Sequence, residues 1–485
     1  MSTETQPTGE AGPQKLPRVL GYTEALSIIV GSTIGSGIFI VAGGVSRNIP
    51  TVGGIALAWI IGGVFSLAGA LTLAELSAMM PRAGGPYLYL RAAYGTLPAF
   101  LFTWAEFLVI RAGSVATLAA AFALYFVQLV HAPDGIDPQI WQTAWAVAAM
   151  VLVAIINVIG TKVGGTVQVV GTVLKVGALL AMMILPFVLG QADLANWKMV
   201  GDRPPNVSFL GGFMAAMVGI LWAYDGWVNG AALAEEIRDP GRNIPRALVV
   251  GMAMLIGIYV SMTLIYHLVL PMDEVQSAAG EKGSPRVVAA IFCQQLLGTP
   301  GLVAISLTVM CSTLISLNGN SMTGPRAYFA MARDGLFPKW LAHVHPRFQT
   351  PANAIIAQNS WAVLLTIAGT AWILYKSGDE SAPPPKPLYD TLFSYVIFGG
   401  TVFYTLAIAS VFVLRSTRPD ADRPYRTWGY PITPTLYVLA SAFLMYNMLT
   451  GPESRMESLA GLGIIVLGVP FYLIYWMKGS HRLAA

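Results

Sequence analysis

The stretch "VGSTIGSGIFIV", Val30 to Val41, decides how the rest of the chain is read. It lies inside an apolar segment running from about Tyr22 to Val45, yet it places three glycines, two serines and a threonine within seven residues. Two readings are open. Gly31 and Gly35 can form a small-xxx-small face for close helix packing. Alternatively the helix opens near Thr33 to Ser36 and resumes from about Gly37, freeing backbone groups to hold a ligand. Glycine weakens a helix interior, and opened backbone is tolerated at membrane depth only where it faces a protein-lined cavity.

The surrounding composition makes the membrane setting explicit. Of 485 residues, 55% are hydrophobic and 11% charged, and the mean hydropathy is +0.64. Soluble domains carry roughly 25% charged residues. Twelve apolar runs long enough to cross a bilayer are centred near Ile38, Phe65, Ala112, Val151, Leu179, Ile220, Gly257, Thr308, Leu364, Gly399, Leu439 and Ile465. They are numbered spans 1 to 12. The first thirteen residues are polar, lack an apolar signal core and read as part of a short disordered tail covering 1–17. With the N-terminus in the cytoplasm, the 28 Lys and Arg residues divide as 18 inside, eight outside and two within spans, Arg111 and Lys175. That asymmetry puts both termini on the cytoplasmic side. Cys293 and Cys311 give no disulfide or metal spacing. The exterior loops near Asp193 to Ser208, Pro271 to Gln295 and Lys376 to Tyr389 are the longest, the last containing the proline-rich "SAPPPKPL" of Ser381 to Leu388.

A second glycine-interrupted segment, "WAYDGWVNG" from Trp222 to Gly230, occurs in span 6. Five spans separate it from the first, so it runs through the membrane in the opposite sense. Interrupted helices at matching positions of two inverted halves point to a transporter binding site. A break at Gly37 would offer N–H groups and the positive dipole end to a carboxylate, and the carbonyls ending the preceding half-helix would suit an ammonium. An amino acid carries both groups.

Three deep ionisable residues need explanation, because a charge at the membrane centre costs about 2.5–3.5 kcal/mol on insertion scales. Asp225, beside Gly226, is either a cap for the half-helix after the break or the counter-charge of a cationic ligand. Lys175 lies about ten residues into span 5, roughly 15 Å along the helix. It reads as a proton carrier, as a fixed cation replacing a coupling ion, or as a snorkelling or ion-paired structural residue. Arg111, deep in span 3, calls for an acidic partner that the sequence does not identify. Glu75 and Glu106 are the other intramembrane acids, and Glu75 is close enough to the end of span 2 to be interfacial. Trp222 and Trp227 flank Asp225, where an aromatic can pack or close over a ligand. Enzymatic readings find little support: the five histidines include no pair at i and i+4, and no phosphate-cradling GxxxxGK[ST] run occurs. "HVHP" at His343 to Pro346 reads as a loop. No cofactor, metal or nucleic acid is called for.

Several motifs in order resemble the amino acid–polyamine–organocation superfamily, most closely its L-type amino acid transporter branch. They are "VGSTIGSGIFI", "AELSAMMPRAGGPYLYLRAAYG" (Ala74 to Gly95), "LPAFLFTWAEFLVIR" (Leu97 to Arg111), "WAYDGW" with "AEEIRDPGRNIPRAL" (Ala234 to Leu248), and "SLNGNSMTGPRAYFAMARDGLFP" (Ser316 to Pro338). The resemblance implies an all-α integral membrane fold with twelve transmembrane helices. Helices 1 and 6 are broken within a five-plus-five inverted repeat over 18–190 and 209–416, followed by two more helices over 430–478. It implies a secondary active amino acid permease working by alternating access, sodium-independent, as a proton symporter or an exchanger; the alternative is a polyamine or organic-cation carrier. Carried over by position, Thr33, Ile34, Gly35, Ser36 and Gly37 take the substrate carboxylate and part of its ammonium. Carbonyls near Trp222, Ala223 and Asp225, beside Gly226, complete the ammonium site, with the Trp222 side chain at an aromatic gate. Lys175 matches a lysine that occupies a sodium position between spans 1, 5 and 8, with Ser312, Thr313 or Ser316 nearby. Two departures limit the transfer. Animal L-type transporters look to have glycine where Asp225 stands, and they use a cysteine between spans 3 and 4 to join a heavy chain. The loop "HAPDGIDPQI" has none, so no disulfide-linked heavy chain is expected. The lipid bilayer of the cell's plasma or inner membrane, protons and an L-amino acid are the expected partners.

Overall fold

The computed structural model describes residues 16–203, 205, 207–278, 287–377, 388–451 and 455–483. Most of the expected N-terminal tail and of the "SAPPPKPL" stretch lies outside them. The described residues form helices and short connections, with no strands beyond two isolated bridges. Among the described residues twelve helices are long and apolar enough to span a membrane, one at each expected centre. They are Tyr22–Ile40, Val52–Met79, Thr96–Leu129, Pro138–Ile159, Thr161–Val188, Phe209–Ala232, Pro240–Val269, Thr299–Arg333, Ala352–Lys376, Val396–Thr417, Ile432–Thr450 and Arg455–Tyr475. Span 1 is the most enclosed, whereas spans 11 and 12 lie at the periphery with most of their apolar surface outward. The connection expected as a loop from Pro271 to Gln295 instead carries two short helices, Met272–Ser277 and Val288–Leu297.

Both interrupted segments are breaks. Span 1 consists of half-helix 1a, Tyr22–Thr33, and half-helix 1b, which begins as Gly37–Ile40 and continues as Ala42–Asn48. Span 6 consists of half-helix 6a, Phe209–Tyr224, and the short half-helix 6b, Asn229–Ala232. The two breaks touch. A Cβ on Gly37 would stand 2.7 Å from Ala223 Cα, and one on Gly226 would stand 2.9 Å from the Thr33 backbone nitrogen. Gly226 also has φ +127°, a conformation that side chains disfavour, so glycine is required there twice over.

Motifs distant in sequence converge at the end of the molecule rich in Lys and Arg, here the basic end. Glu236, fully buried, receives Arg326 Nε at 2.8 Å and the Thr161 hydroxyl at 2.7 Å. Glu235 receives Arg333 at 2.9 and 3.1 Å and the backbone N–H groups of Ala83 and Leu16. Burial alone would raise the Glu235 carboxyl, but these donors outweigh it and hold it below the usual carboxylate range. Its contribution to stability is therefore present at neutral pH and is lost only as the pH falls through that lowered value. Tyr87 donates to Asp334 at 2.6 Å, and Arg91 pairs with the same carboxylate. The chain before span 1 joins this seal, with Leu20 N–H on the Glu236 carbonyl and Arg238 N–H on the Leu20 carbonyl.

Glu75 stands four residues before the end of span 2, as read, and is packed inside the protein there. It is buried, accepts from Arg415 at 2.7 and 2.9 Å and from Thr427 N–H at 2.6 Å, and lies 3.3 Å from Arg423. A carboxylate so buried persists because several donors surround it.

Candidate substrate site

A small cavity of about 30 Å³ lies where the breaks meet. Its walls are Ser32, Thr33, Gly35, Ser36 and Gly37 from span 1, Trp222, Asp225 and Gly226 from span 6, Ser114 and Leu118 from span 3, and Asn320 from span 8. Of the residues expected at a site, Thr33, Gly35, Ser36, Gly37, Trp222, Asp225 and Gly226 are brought together here. Ile34 and Ala223 are not in the wall. Ile34 is fully buried and turns its carbonyl toward span 5, and Ala223 is packed against Gly37. Ser114 and Leu118 join the wall without any motif having marked them, and Ser32 and Asn320 join it from within quoted motifs that had assigned them no role. The enclosed space suits a few water-sized groups, so a side chain larger than that requires the walls to move.

The backbone at the breaks has spare hydrogen-bonding capacity. Half-helix 1b forms its first internal bonds from Phe39 and Ile40 N–H to the Ser36 carbonyl. Among the described residues, Gly37 and Ile38 N–H groups have no backbone acceptor. The span 6 break ends 6a with Asp225 N–H on the Trp222 carbonyl. Asp225 is not the cap of 6b, whose first flanking residue is Val228 and which has no side-chain cap. Asp225 instead lines the cavity; its carboxylate accepts from the Gly226 N–H and feels the charges of Arg111 and Glu106. Trp222 lines the cavity, whereas Trp227 turns away and packs against Tyr404, Tyr437 and Gly69.

Lys175 stands directly behind the span 1 break. Its ammonium donates to the carbonyls of Gly31 at 2.5 Å, Ile34 at 2.6 Å and Ser312 at 3.2 Å, and reaches the Ser316 hydroxyl at 3.3 Å. Ser312 and Ser316 also donate to break carbonyls, Ser312 to Ile34 and Gly35 and Ser316 to Gly31 and Ile34, all at 2.9 Å. One cation and two hydroxyls thus satisfy the carbonyls that lose their helical partners, which is why the helix can open in a buried place. Thr313 does not take part; its hydroxyl returns to Val309 and Met310 in its own helix. Gly31 has a separate duty, since a Cβ there would meet Thr172 Oγ1 at 2.2 Å, and so it seats 1a on span 5.

Tyr259 of span 7 was not foreseen. Its hydroxyl lies 3.1 Å from the Thr33 carbonyl and 2.8 Å from the Ala223 carbonyl, tying the ends of 1a and 6a together. A tyrosine in an apolar run carries no local signal of this role.

Arg111 finds its acid in Glu106, at 3.1 and 3.2 Å. Residues five apart do not share a face of an α-helix, but Glu106–Ile110 forms a π-helical turn whose wider winding stacks them. The two histidines of "HVHP" hold no metal cluster; His345 Nδ1 accepts from the N–H groups of Arg347 and Phe348 in a turn. Among the described residues no group of three or more metal-ligating side chains gathers anywhere.

Comparison with known proteins places this geometry. The family model for amino acid permeases matches residues 20–470. The chain is 31% identical over 465 residues to the b(0,+)-type amino acid transporter 1 of Homo sapiens, covering 95% of this chain and 88% of that protein. It is 30% identical over 468 residues to the serine/threonine exchanger SteT of Bacillus subtilis, covering 96% and 97%. It is also 30% identical over 489 residues to the large neutral amino acids transporter small subunit 2 of Rattus norvegicus, covering 98% and 85%. These relatives are transporters rather than enzymes, and the twelve spans make this chain a multi-pass membrane protein. Two touching broken helices, a cavity between them and a family match along nearly the whole chain lead to one conclusion: the chain belongs to the amino acid permease family of the amino acid–polyamine–organocation superfamily.

Proposed function

We propose that the chain is a sodium-independent carrier of L-amino acids that works by alternating access, as an exchanger or a proton symporter, across the cell membrane. The observation that carries the sodium independence is the Lys175 ammonium, which is bonded to the carbonyls of Gly31, Ile34 and Ser312 and to the Ser316 hydroxyl. An all-oxygen set of this kind suits a hard cation, and a tethered cation in its midst leaves no need for a dissolved one. The substrate carboxylate is read against the Gly37 and Ile38 N–H groups and its ammonium against carbonyls at the break ends. Rocking of the broken helices, within inverted halves 18–190 and 209–416, would expose the cavity to each side in turn. The excess of Lys and Arg at the end from which span 1 enters supports a cytoplasmic placement of that end. Cys293 is buried and Cys311 lies within span 8, so the chain is read as working without a disulfide-linked heavy chain.

Uptake of labelled serine and leucine into proteoliposomes, empty or preloaded with unlabelled amino acid, tests this reading. Uptake is expected to be the same in sodium and in choline medium, and to rise with preloading for an exchanger or with an inward proton gradient for a symporter. A requirement for a sodium gradient overturns it.

One observation favours a cationic substrate as a second reading. Asp225 lines the cavity, while the charge of Arg111, which acts on it, is already engaged by Glu106. If Asp225 is the counter-charge of the cargo, Asp225→Asn is expected to reduce uptake of lysine or putrescine about tenfold while sparing leucine, a difference near 1.4 kcal/mol. An equal loss for all substrates leaves Asp225 with a structural role.

A further inference from the structure

We propose that Arg111 is the latch that closes the substrate cavity toward the basic end, and that its bond to half-helix 6b must break for the cavity to open on that side. The proposal rests on the alternating-access reading of the cavity. The placement is specific. Arg111 is one helical turn before Ser114, which lines the cavity, on the side from which span 3 enters. One Nη1 hydrogen bond runs 2.7 Å to Asn229 Oδ1 on 6b, and another runs 2.5 Å to Asn320 Oδ1 on span 8. Asn320 is one turn beyond Ser316 toward the basic end and is itself a cavity wall. The guanidinium therefore joins three spans as a floor beneath the cavity.

The alternative, that Arg111 is an anion site for the substrate, conflicts with its bonding. Of its five N–H groups, Nε and one on Nη2 are taken by Glu106, and Nη1 supplies Asn229 and Asn320. The charge is neutralised from the far side, because Glu106 lies nearer the basic end and reaches Arg111 only through the π-helical turn. The arginine stem is seated as well: a Cβ on Gly324 would stand 2.3 Å from Arg111 Cγ, so the glycine makes the lane in which the side chain lies. These features hold the guanidinium still relative to spans 3 and 8.

The link to 6b is of a different kind. The Asn229 side chain is buried, and its Nδ2 has no hydrogen-bond partner. Its tie to the neighbouring spans is the single bond that its oxygen accepts from Arg111. A rigid donor held by span 3 thus faces a side-chain acceptor near the start of 6b, whereas the far end of 6b is held by the Gly84 N–H on the Ala232 carbonyl and by the seal at Glu235 and Glu236. Half-helix 6b can therefore pivot about that anchored end to break and remake the Arg111 contact. Arg111 also holds Asn320, so a substrate that engages Asn320 competes for the same guanidinium, which connects occupancy of the cavity to release of 6b.

The test uses full-length protein in oriented vesicles, with Cys293→Ser and Cys311→Ser removing the native thiols and Ser114→Cys as reporter in the cavity wall. A membrane-impermeant thiol reagent is applied from the basic-end side. Asn229→Ala, which deletes the acceptor but leaves the ion pair intact, is expected to raise the labelling rate about tenfold, as is the double variant Arg111→Gln with Glu106→Gln, which removes both charges together. Arg111→Lys, able to reach one asparagine but lacking the fork, should fall between these and the parent. Unchanged labelling in Asn229→Ala, with the protein monodisperse in detergent, overturns the latch even if the charge variants fail to fold. Protection of the reporter by a mixture of amino acids in the parent addresses the underlying reading separately: loss of protection there rejects the cavity as the substrate site, whereas unchanged labelling rejects the latch.

Discussion

Lys175→Ala is expected to stop amino acid uptake almost completely in a protein that still inserts and purifies. The ammonium satisfies the carbonyls of Gly31 and Ile34 at 2.5 and 2.6 Å in a site closed to solvent. Hydrogen bonds to a charged group contribute about 1.5–3 kcal/mol each. Ser312 and Ser316 keep their own bonds to the same carbonyls, so the break is loosened rather than left bare. A net loss near 3 kcal/mol in the productive geometry corresponds to roughly a hundredfold lower uptake. Lys175→Arg should not restore it, since a planar fork cannot replace a compact ammonium enclosed by carbonyls. Initial rates in proteoliposomes, with size-exclusion profiles as the control, provide the measurement. Near-normal uptake by Lys175→Ala would show that the break keeps its shape without the cation.

The second large effect concerns the contact between the breaks. Gly37→Val places a branched side chain where its first carbon would already be 2.7 Å from Ala223 Cα, a backbone atom that cannot turn aside. Half-helices 1b and 6a must then separate, and the Gly37 and Ile38 N–H groups move with them. Uptake is expected to fall below detection, with amino acid binding in a thermal-shift assay lost in parallel. Gly44→Ala is the matched control, because a Cβ there meets nothing within 4 Å on the continuation of the same half-helix. Its uptake should stay near the parent's, since alanine favours a helix interior over glycine. If both variants transport normally, close approach at Gly37 is not what shapes the site.

These two predictions draw on different kinds of information. The break at Thr33 to Gly37 was legible because glycines and hydroxyl side chains inside an apolar run conflict with continuous helix, and the twelve spans were legible from hydropathy alone. The depth of Lys175 was likewise legible, but its ligands were only partly so: Ser312 and Ser316 fall on the face toward span 1, whereas Thr313, adjacent in sequence, bonds within its own helix. The partner of Arg111 was hidden for a geometric reason, since Glu106 lies at a separation that an ordinary helix would turn away and a π-helical turn brings back. Glu75, read as near an interface, is enclosed because Arg415, Arg423 and Thr427 arrive from beyond span 10 and from its end.

By itself the sequence determined the membrane setting, the number of spans, the two helix interruptions, the deep charges and the family resemblance. Each of these is written locally, in hydropathy, in glycine and in the position of a charge. The tertiary structure alone decided that the interruptions touch, that Tyr259 ties them, that Ile34 and Ala223 support the cavity rather than line it, and that Arg111 reaches Asn229 and Asn320. The pairings of Arg111 with Asn229 and Asn320, and of Tyr259 with Thr33, join residues more than a hundred positions apart. They depend on how whole helices pack, and no run of neighbouring residues encodes that.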